Sequence, residues 1–259
     1  MELGLQGRRA VVTGASKGIG LAIVRALVAE GVHVIAGART SSTELDELSR
    51  GGAVEIVTLD LAEPDAPAEL IAQAGESLDI LVNNVGLASV RLGGFLEITD
   101  DQWSKSINLN LMAAVRATRA ALPIMLAGGR GVIVNTGSVN AFLPDPAVLD
   151  YSAAKAAVTN FAKSISKEFG PRGIRINTVT PGPVETDLWL GDQGVAATVS
   201  RASGAKPEDV AKSAVATTAT GRFSTPAEVA DLVVLLASDR TANVTGSSVT
   251  IDGGLISTI

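Results

Sequence analysis

Short apolar runs alternate with longer helix-patterned segments from one end of this 259-residue chain to the other. The runs cover residues 10–13, 32–36, 54–59, 80–82, 132–135, 174–179 and 248–251, and they are rich in Val and Ile. None shows the clean polar alternation of a strand with one wet face, so they read as strands covered on both faces. Helical patterns occupy 19–30, 43–49, 65–74, about 100–126, about 152–169 and 226–238, the first marked by Ile19, Ala22, Ile23, Ala26 and Leu27 at helical spacing. No internal repeat, low-complexity tract or linker interrupts the rhythm. The prediction is an α/β fold: one doubly wound domain over residues 1–259, a seven-stranded parallel sheet with helices on both faces.

Residue counts narrow the chemistry further. The chain has no cysteine, one histidine (His33) and one tyrosine (Tyr151). Disulfides, thiolate nucleophiles, Cys-ligated metal centres and any device needing two histidines are thereby excluded. His33 falls inside the second strand and reads as structural or edge-exposed. No Asp/Glu/His cluster has metal-ligand spacing, so no metal is expected. A net charge of −6 argues against a nucleic-acid surface. The longest stretch without a charged residue, 131–144, has fourteen residues including two asparagines and a proline, too short and too polar to span a bilayer. Met1-Glu2-Leu3-Gly4 lacks the basic and apolar regions of a signal peptide, so a soluble cytoplasmic protein is expected.

Two segments depart from the rhythm. Residues 180–222 hold several glycines and prolines and no strand pattern, yet keep Leu188, Trp189, Leu190 and Val195. A long connection of that kind after a strand is expected to be a substrate lid, at about 183–222. The helices at 100–126 and 152–169 are apolar or small around much of their circumference, and their outer faces are expected to be covered by another subunit.

The turn from the first strand into the first helix reads Thr13-Gly14-Ala15-Ser16-Lys17-Gly18-Ile19-Gly20. Glycines there let the backbone approach a pyrophosphate, and the helix N-terminus favours its charge. At the start of a strand–helix–strand unit the run points to a dinucleotide.

The spacing G-x-x-x-G-x-G, together with Tyr151-x-x-x-Lys155, resembles the short-chain dehydrogenase/reductase family. The resemblance covers nearly the whole chain. Asn83-Asn84-Val85-Gly86 looks like that family's Asn-Asn-Ala-Gly, with Val in place of Ala. Trp103 and Asn110 match its asparagine-bearing helix, and Ser138 lies thirteen residues before Tyr151 as the family serine does. Asn177-x-x-x-Pro181-Gly182, then Thr186, and Ile251-Asp252-Gly253-Gly254 match later blocks. The resemblance implies a Rossmann-type domain, a catalytic set of Asn110, Ser138, Tyr151 and Lys155, and a homotetramer. It also implies a cofactor held by Gly14, Ser16, Lys17, Gly18, Ile19, Gly20, Arg39, Asp60, Leu61, Asn84, Gly86, Tyr151, Lys155, Pro181, Gly182, Val184 and Thr186. In the family the asparagine bends its helix and holds a water linking the lysine to solvent.

Tyr151 and Lys155 are four apart at a helix start and so share a face. A phenol ordinarily ionises near 10, and a nearby ammonium is expected to lower that value. Ser138, at a strand end, would orient a substrate oxygen. Its flanks are not a nucleophile elbow and it has no histidine partner, which disfavours hydrolase chemistry. The second strand ends Ala36-Gly37-Ala38-Arg39-Thr40: Ala38 stands where a carboxylate would hold a 2′-hydroxyl. Arg39 and Lys17 suit a 2′-phosphate instead, so NADP(H) is expected.

Candidate pocket residues Leu87, Asn140, Phe142, Leu143, Val184, Leu188 and Trp189 are mostly apolar. With Ser138 and Tyr151 they favour a hydrophobic small-molecule carbonyl or alcohol, Asn140 offering a second polar contact. The leading expectation is an NADPH-dependent carbonyl reductase. One alternative is a 3-oxoacyl-[acyl-carrier-protein] reductase, for which Arg130 and Arg172 could supply a basic rim, although residues 183–200 carry Glu185, Asp187, Asp192 and no base. Another is a non-catalytic cofactor-binding regulatory or scaffold protein.

Overall fold

In the computed structural model, which describes residues 2–257, seven strands make one sheet. They are β1 (Arg9–Thr13), β2 (His33–Ala38), β3 (Val54–Thr58), β4 (Ile80–Asn83), β5 (Gly131–Thr136), β6 (Ile174–Pro181) and β7 (Ser248–Ile251). The order is β3-β2-β1-β4-β5-β6-β7, and every neighbouring pair is parallel. The chain winds outward from β1 to β3, then returns to β4 beside β1 and winds outward the other way. That reversal opens a crevice at the carboxyl ends of the strands, where ligands of such sheets sit. His33 is the first residue of β2 and is exposed.

Side chains alternate across the strands, so one run feeds two cores. Ala10 and Val12 of β1 join the layer built by α1 (Gly18–Ala29) and α2 (Thr43–Arg50). Val11 faces the layer of α3 (Ala66–Ala72), α5 (Ala113–Ala127) and α6 (Leu149–Phe169), with α4 (Asp100–Ile107) packed against α6. The remaining helices are α7 (Asp187–Leu190), α8 (Val195–Ser203), α9 (Pro207–Val215) and α10 (Pro226–Ala237), the last packed beside α1 through Val229 and Val233. Thr225 and Glu228 form a capping box that starts α10, with Pro226 in its first turn.

Three boundaries differ from the sequence reading. The helix expected at 100–126 is found as α4 and α5 joined through a π-helical turn, Asn108–Met112. The run Asp100–Ala127 is long and apolar enough by composition to cross a membrane, and Ala117, Ala121 and Met125 pack it against the sheet. Helix α6 begins at Leu149 rather than 152, because the 3₁₀ turn Pro146–Val148, capped by the Asp145 carboxylate, feeds straight into it. Tyr151 therefore lies in the first turn of α6. Residues 183–222, expected as a strandless lid, contain α7, α8 and α9, separated by Gly191, Gly194, Gly204 and Pro207. The segment is tied down by a backbone bridge between Val184 and Ser224 and by Trp189 standing edge-on to Phe223 at 5.7 Å.

Candidate active site

The predicted glycine loop occupies the turn between β1 and α1. Gly14 (φ +66°) and Gly18 (φ +54°) adopt left-handed backbone that side-chain-bearing residues avoid. At Gly20 a Cβ would fall 2.0 Å from the Gly14 carbonyl oxygen, so only glycine lets α1 approach the loop. The first turn of α1 has no side-chain cap and no acidic residue, leaving its N–H groups for an anion. Asn84 braces this loop: its Nδ2 donates to the carbonyls of Thr13 (3.1 Å) and Gly14 (3.2 Å). Thr13 Oγ1 in return accepts from the N–H groups of Asn84 (2.8 Å) and Val85 (3.0 Å). Asn84, one of the expected cofactor residues, thus spends its side-chain amide on holding the loop.

The predicted catalytic side chains converge beside it. Ser138 follows β5; its hydroxyl donates to Asn140 Oδ1 at 3.1 Å and accepts from the Asn140 N–H at 3.2 Å. Asn140 therefore fixes the serine rotamer. Lys155 is buried, and its Nζ donates to the Thr136 carbonyl at 2.8 Å and lies 5.7 Å from the Tyr151 ring centre. Burial pulls the lysine down to about 8. Burial also pushes the Tyr151 phenol above its usual range, while hydrogen bonding with Ser138 works the other way. The lowering expected from the ammonium is not what prevails here: the desolvation of the phenol is the larger effect.

Asn110 sits in the π turn, buried. Its Nδ2 donates to the carbonyls of Leu87 (2.9 Å) and Ser106 (3.0 Å), and its Oδ1 accepts from the Leu87 N–H at 2.9 Å. A Cβ on Gly86 would lie 2.8 Å from Asn110 Oδ1 and 3.2 Å from Lys155 Nζ, so this glycine lets the strand end pass between them.

The remaining predicted positions also lie at carboxyl strand ends. Arg39 follows β2 directly and is exposed, with no ion-pair partner among the described residues. Lys17 Nζ lies 3.5 Å from Asp187 Oδ2, both exposed. Asp60 is exposed and accepts from the Ala62 N–H at 3.0 Å, next to the buried Leu61. Beyond β6, Gly182 passes Asp252, where a Cβ would come within 2.8 Å, and Val184 is buried. Thr186 stands over the loop, 3.2 Å from where a Gly18 Cβ would be. Leu188 and Trp189 are half-buried on α7, whereas Leu87, Phe142, Leu143 and Leu190 are 52%, 53%, 49% and 45% exposed.

Arg130 and Arg172 do not reach this mouth. Arg130 pairs with Asp79 at 3.1 Å beside a cavity of about 360 Å³ at the amino ends of the strands, lined also by Arg8, Arg175 and Asp239. Arg172 ends the 3₁₀ turn that leads into β6 at that same end, over the Phe169 ring. The sequence reading missed a largely buried pair at the start of the helix that carries the phenol, Arg91 with Asp150. Asp150 adjoins Tyr151 in sequence, but nothing local points to an arginine 59 positions away.

Parallel sheet, glycine-rich first turn and a Ser–Tyr–Lys cluster at the carboxyl edge define an α/β oxidoreductase. A family model of short chain dehydrogenase matches residues 8–193. A 3-oxoacyl-[acyl-carrier-protein] reductase of Vibrio harveyi is 36% identical over 98% of this chain and 99% of its own length. An L-xylulose reductase of Bos taurus is 37% identical over 100% of both chains. The crystal structure of L-sorbose reductase from Gluconobacter frateurii, complexed with NADPH and L-sorbose, matches 100% of both chains with a TM-score of 0.90 at 32% identity. The chain belongs to the short-chain dehydrogenase/reductase family, oxidoreductases acting on CH–OH or C=O groups.

Proposed function

We propose that this protein reduces a hydrophobic ketone or aldehyde to the alcohol with NADPH. The observation that carries the reading is the half-buried Tyr151 phenol, in hydrogen-bonding reach of Ser138 and one helical turn from the buried Lys155. A phenol raised above its usual range keeps its proton at neutral pH, the state needed to protonate a carbonyl oxygen. Ser138, held by Asn140, orients that oxygen. The uncapped α1 and its glycine loop suit a pyrophosphate, with Pro181, Gly182, Val184 and Thr186 flanking it, and Lys155 suits the nicotinamide ribose. When bound, the nicotinamide supplies the hydride.

NADPH rather than NADH is supported by Ala38 at the end of β2, by the exposed Arg39, and by Lys17 on the loop. Structures similar to this chain were solved with NADPH or NADP. The double variant Lys17→Ala/Arg39→Ala is expected to weaken NADPH binding by at least about tenfold, because each charge-assisted contact to a phosphate contributes about 1.5–3 kcal/mol. NADH binding should hardly change. Fluorescence titration with both nucleotides checks this, and an unchanged NADPH affinity overturns the choice.

The substrate class rests on the half-exposed Leu87, Phe142, Leu143 and Leu190 around the mouth. A panel of aryl and alkyl ketones, sugar ketones and 3-oxoacyl thioesters, assayed with both nucleotides, tests it. Apolar carbonyls are expected to exceed sugar ketones in kcat/KM by at least about tenfold, as hydrophobic pocket contacts allow; the reverse order overturns the class. The carrier-protein reading draws on the Vibrio harveyi relative, but Arg130 and Arg172 lie away from the mouth and leave it without their basic rim. Turnover on any carbonyl excludes the scaffold reading. We further propose a homotetramer built through α5 and α6, whose Leu126, Phe161 and Ile165 are only half-buried in one chain; a monomer by light scattering overturns this.

A further inference from the structure

Arg91 and Asp150 form a largely buried ion pair, and Asp150 is the residue before Tyr151 in the first turn of α6. Arg91 belongs to the connection between β4 and α4. Arg91 Nη2 donates to Asp150 Oδ2 at 2.5 Å and its Nε to Oδ1 at 3.3 Å. The side chains are 14% and 1% exposed. The Arg91 N–H also donates to the Ala147 carbonyl at 2.7 Å, just ahead of α6. At the other end of the same stretch, Leu87 is held through both backbone groups by Asn110. Residues 87–91 are therefore fastened at one end to the turn carrying Asn110 and at the other to the helix carrying Tyr151.

Stability gives little reason for such a pair, since apolar side chains of similar volume would do as well or better in a dry site. A lone carboxylate there would hold the phenolic proton more tightly, and a lone guanidinium would loosen it. We propose that Arg91 and Asp150 are positioning residues of the reaction: their pairing sets the 87–91 wall against the catalytic helix and cancels the charge next to Tyr151. The inference rests on the reading of Tyr151 as proton donor.

Among the charges on the elements packed against α6, Arg91 is the one drawn into its first turn. Lys155 stands on the same helix. The packed α4 carries Asp100, Asp101 and Lys105, all exposed. Asp145, ahead of α6, is exposed and caps the Ala147 N–H. The π turn Asn108–Met112, the 3₁₀ turns Val139–Ala141 and Pro146–Val148, and strand β5 carry no charge. Arg175 on β6 and Arg172 lie at the opposite end of the sheet.

Because Tyr151 is the chain's one tyrosine, its ionisation can be followed directly by tyrosinate absorbance against pH, with and without saturating NADP⁺. Asp150→Asn is expected to lower the midpoint by about one pH unit, and Arg91→Met/Asp150→Asn to return it towards the wild-type value. Arg91→Lys, which keeps the charge but loses the fork, should leave the midpoint in place and lower kcat on the best carbonyl of the panel without changing KM for NADPH. A midpoint that stays or rises in Asp150→Asn, or that fails to return in the double variant, overturns the proposal. So does an Arg91→Lys enzyme with wild-type kcat. Should Asp150→Asn fail to fold by circular dichroism, the Arg91→Lys midpoint and kcat decide. Turnover retained by Tyr151→Phe would instead defeat the proton-donor reading itself.

Discussion

Tyr151→Phe is expected to bind NADPH as the wild type does and to lose turnover by about 10²–10⁴-fold, the range of general acid catalysis. The substitution removes one oxygen and keeps the ring, which lies half-buried at the start of α6 with Lys155 Nζ 5.7 Å from its centre. Packing is therefore preserved while Ser138 loses its phenolic partner. No other phenol in the chain can take over. Because burial raises the phenol, its acid form persists throughout the neutral range, so carbonyl reduction should not lose its proton donor there. The group that titrates is Lys155, at about 8, and reduction is expected to decline above that pH as the ammonium is lost. A stopped-flow comparison of both enzymes from pH 6 to 10 measures this. Retained turnover in Tyr151→Phe would remove the phenol from the mechanism.

Lys155→Met should abolish activity without destabilising the fold. In the folded chain the ammonium is held in a dry site at about 8, against the 10.5 usual for a solvated lysine. That difference corresponds to about 3 kcal/mol of folding free energy forfeited wherever both states would carry the charge, that is, below pH 8. Methionine removes this penalty at similar volume, but leaves the Thr136 carbonyl without its 2.8 Å donor, a loss of about 1–3 kcal/mol. The net expectation at pH 7 is a variant as stable as the wild type or up to about 2 kcal/mol more stable. The pH dependence carries the sign. Between pH 8 and 10.5 the unfolded wild type binds a proton that the folded state does not, so wild-type stability rises through this window relative to the variant. Urea unfolding at pH 7 and pH 10 tests both parts; a variant more than about 1 kcal/mol less stable at pH 7 refutes the argument.

Much of this molecule was legible from local pattern. All seven strands lie where apolar, β-branched runs predicted them: the inner strands are covered on both faces and leave a continuous signature, and the partly exposed edge strands β3 and β7 keep the same β-branched run. The β1–α1 turn was readable because glycine is required there by backbone conformation and close approach, both local demands. Ser138, Tyr151 and Lys155 meet because a strand end and a helix start repeat a known spacing. The three helices of 187–215 escaped notice because they lie between Gly191, Gly194, Gly204 and Pro207, whose glycines and proline read as loop composition.

Sequence alone determined the class of fold, the dinucleotide-type turn and which side chains were candidates for proton transfer. Tertiary structure decided how those side chains behave. It raised the phenol that the neighbouring lysine was expected to lower, because desolvation depends on everything packed around a group. It turned Asn84 inward to brace the glycine loop, and it set Arg130 and Arg172 at the far end of the sheet. It also joined Arg91 to Asp150 across 59 residues. Spacing along a chain specifies contacts within one helix or one turn. Charge, burial and pairing between elements exist only once the sheet has brought them together.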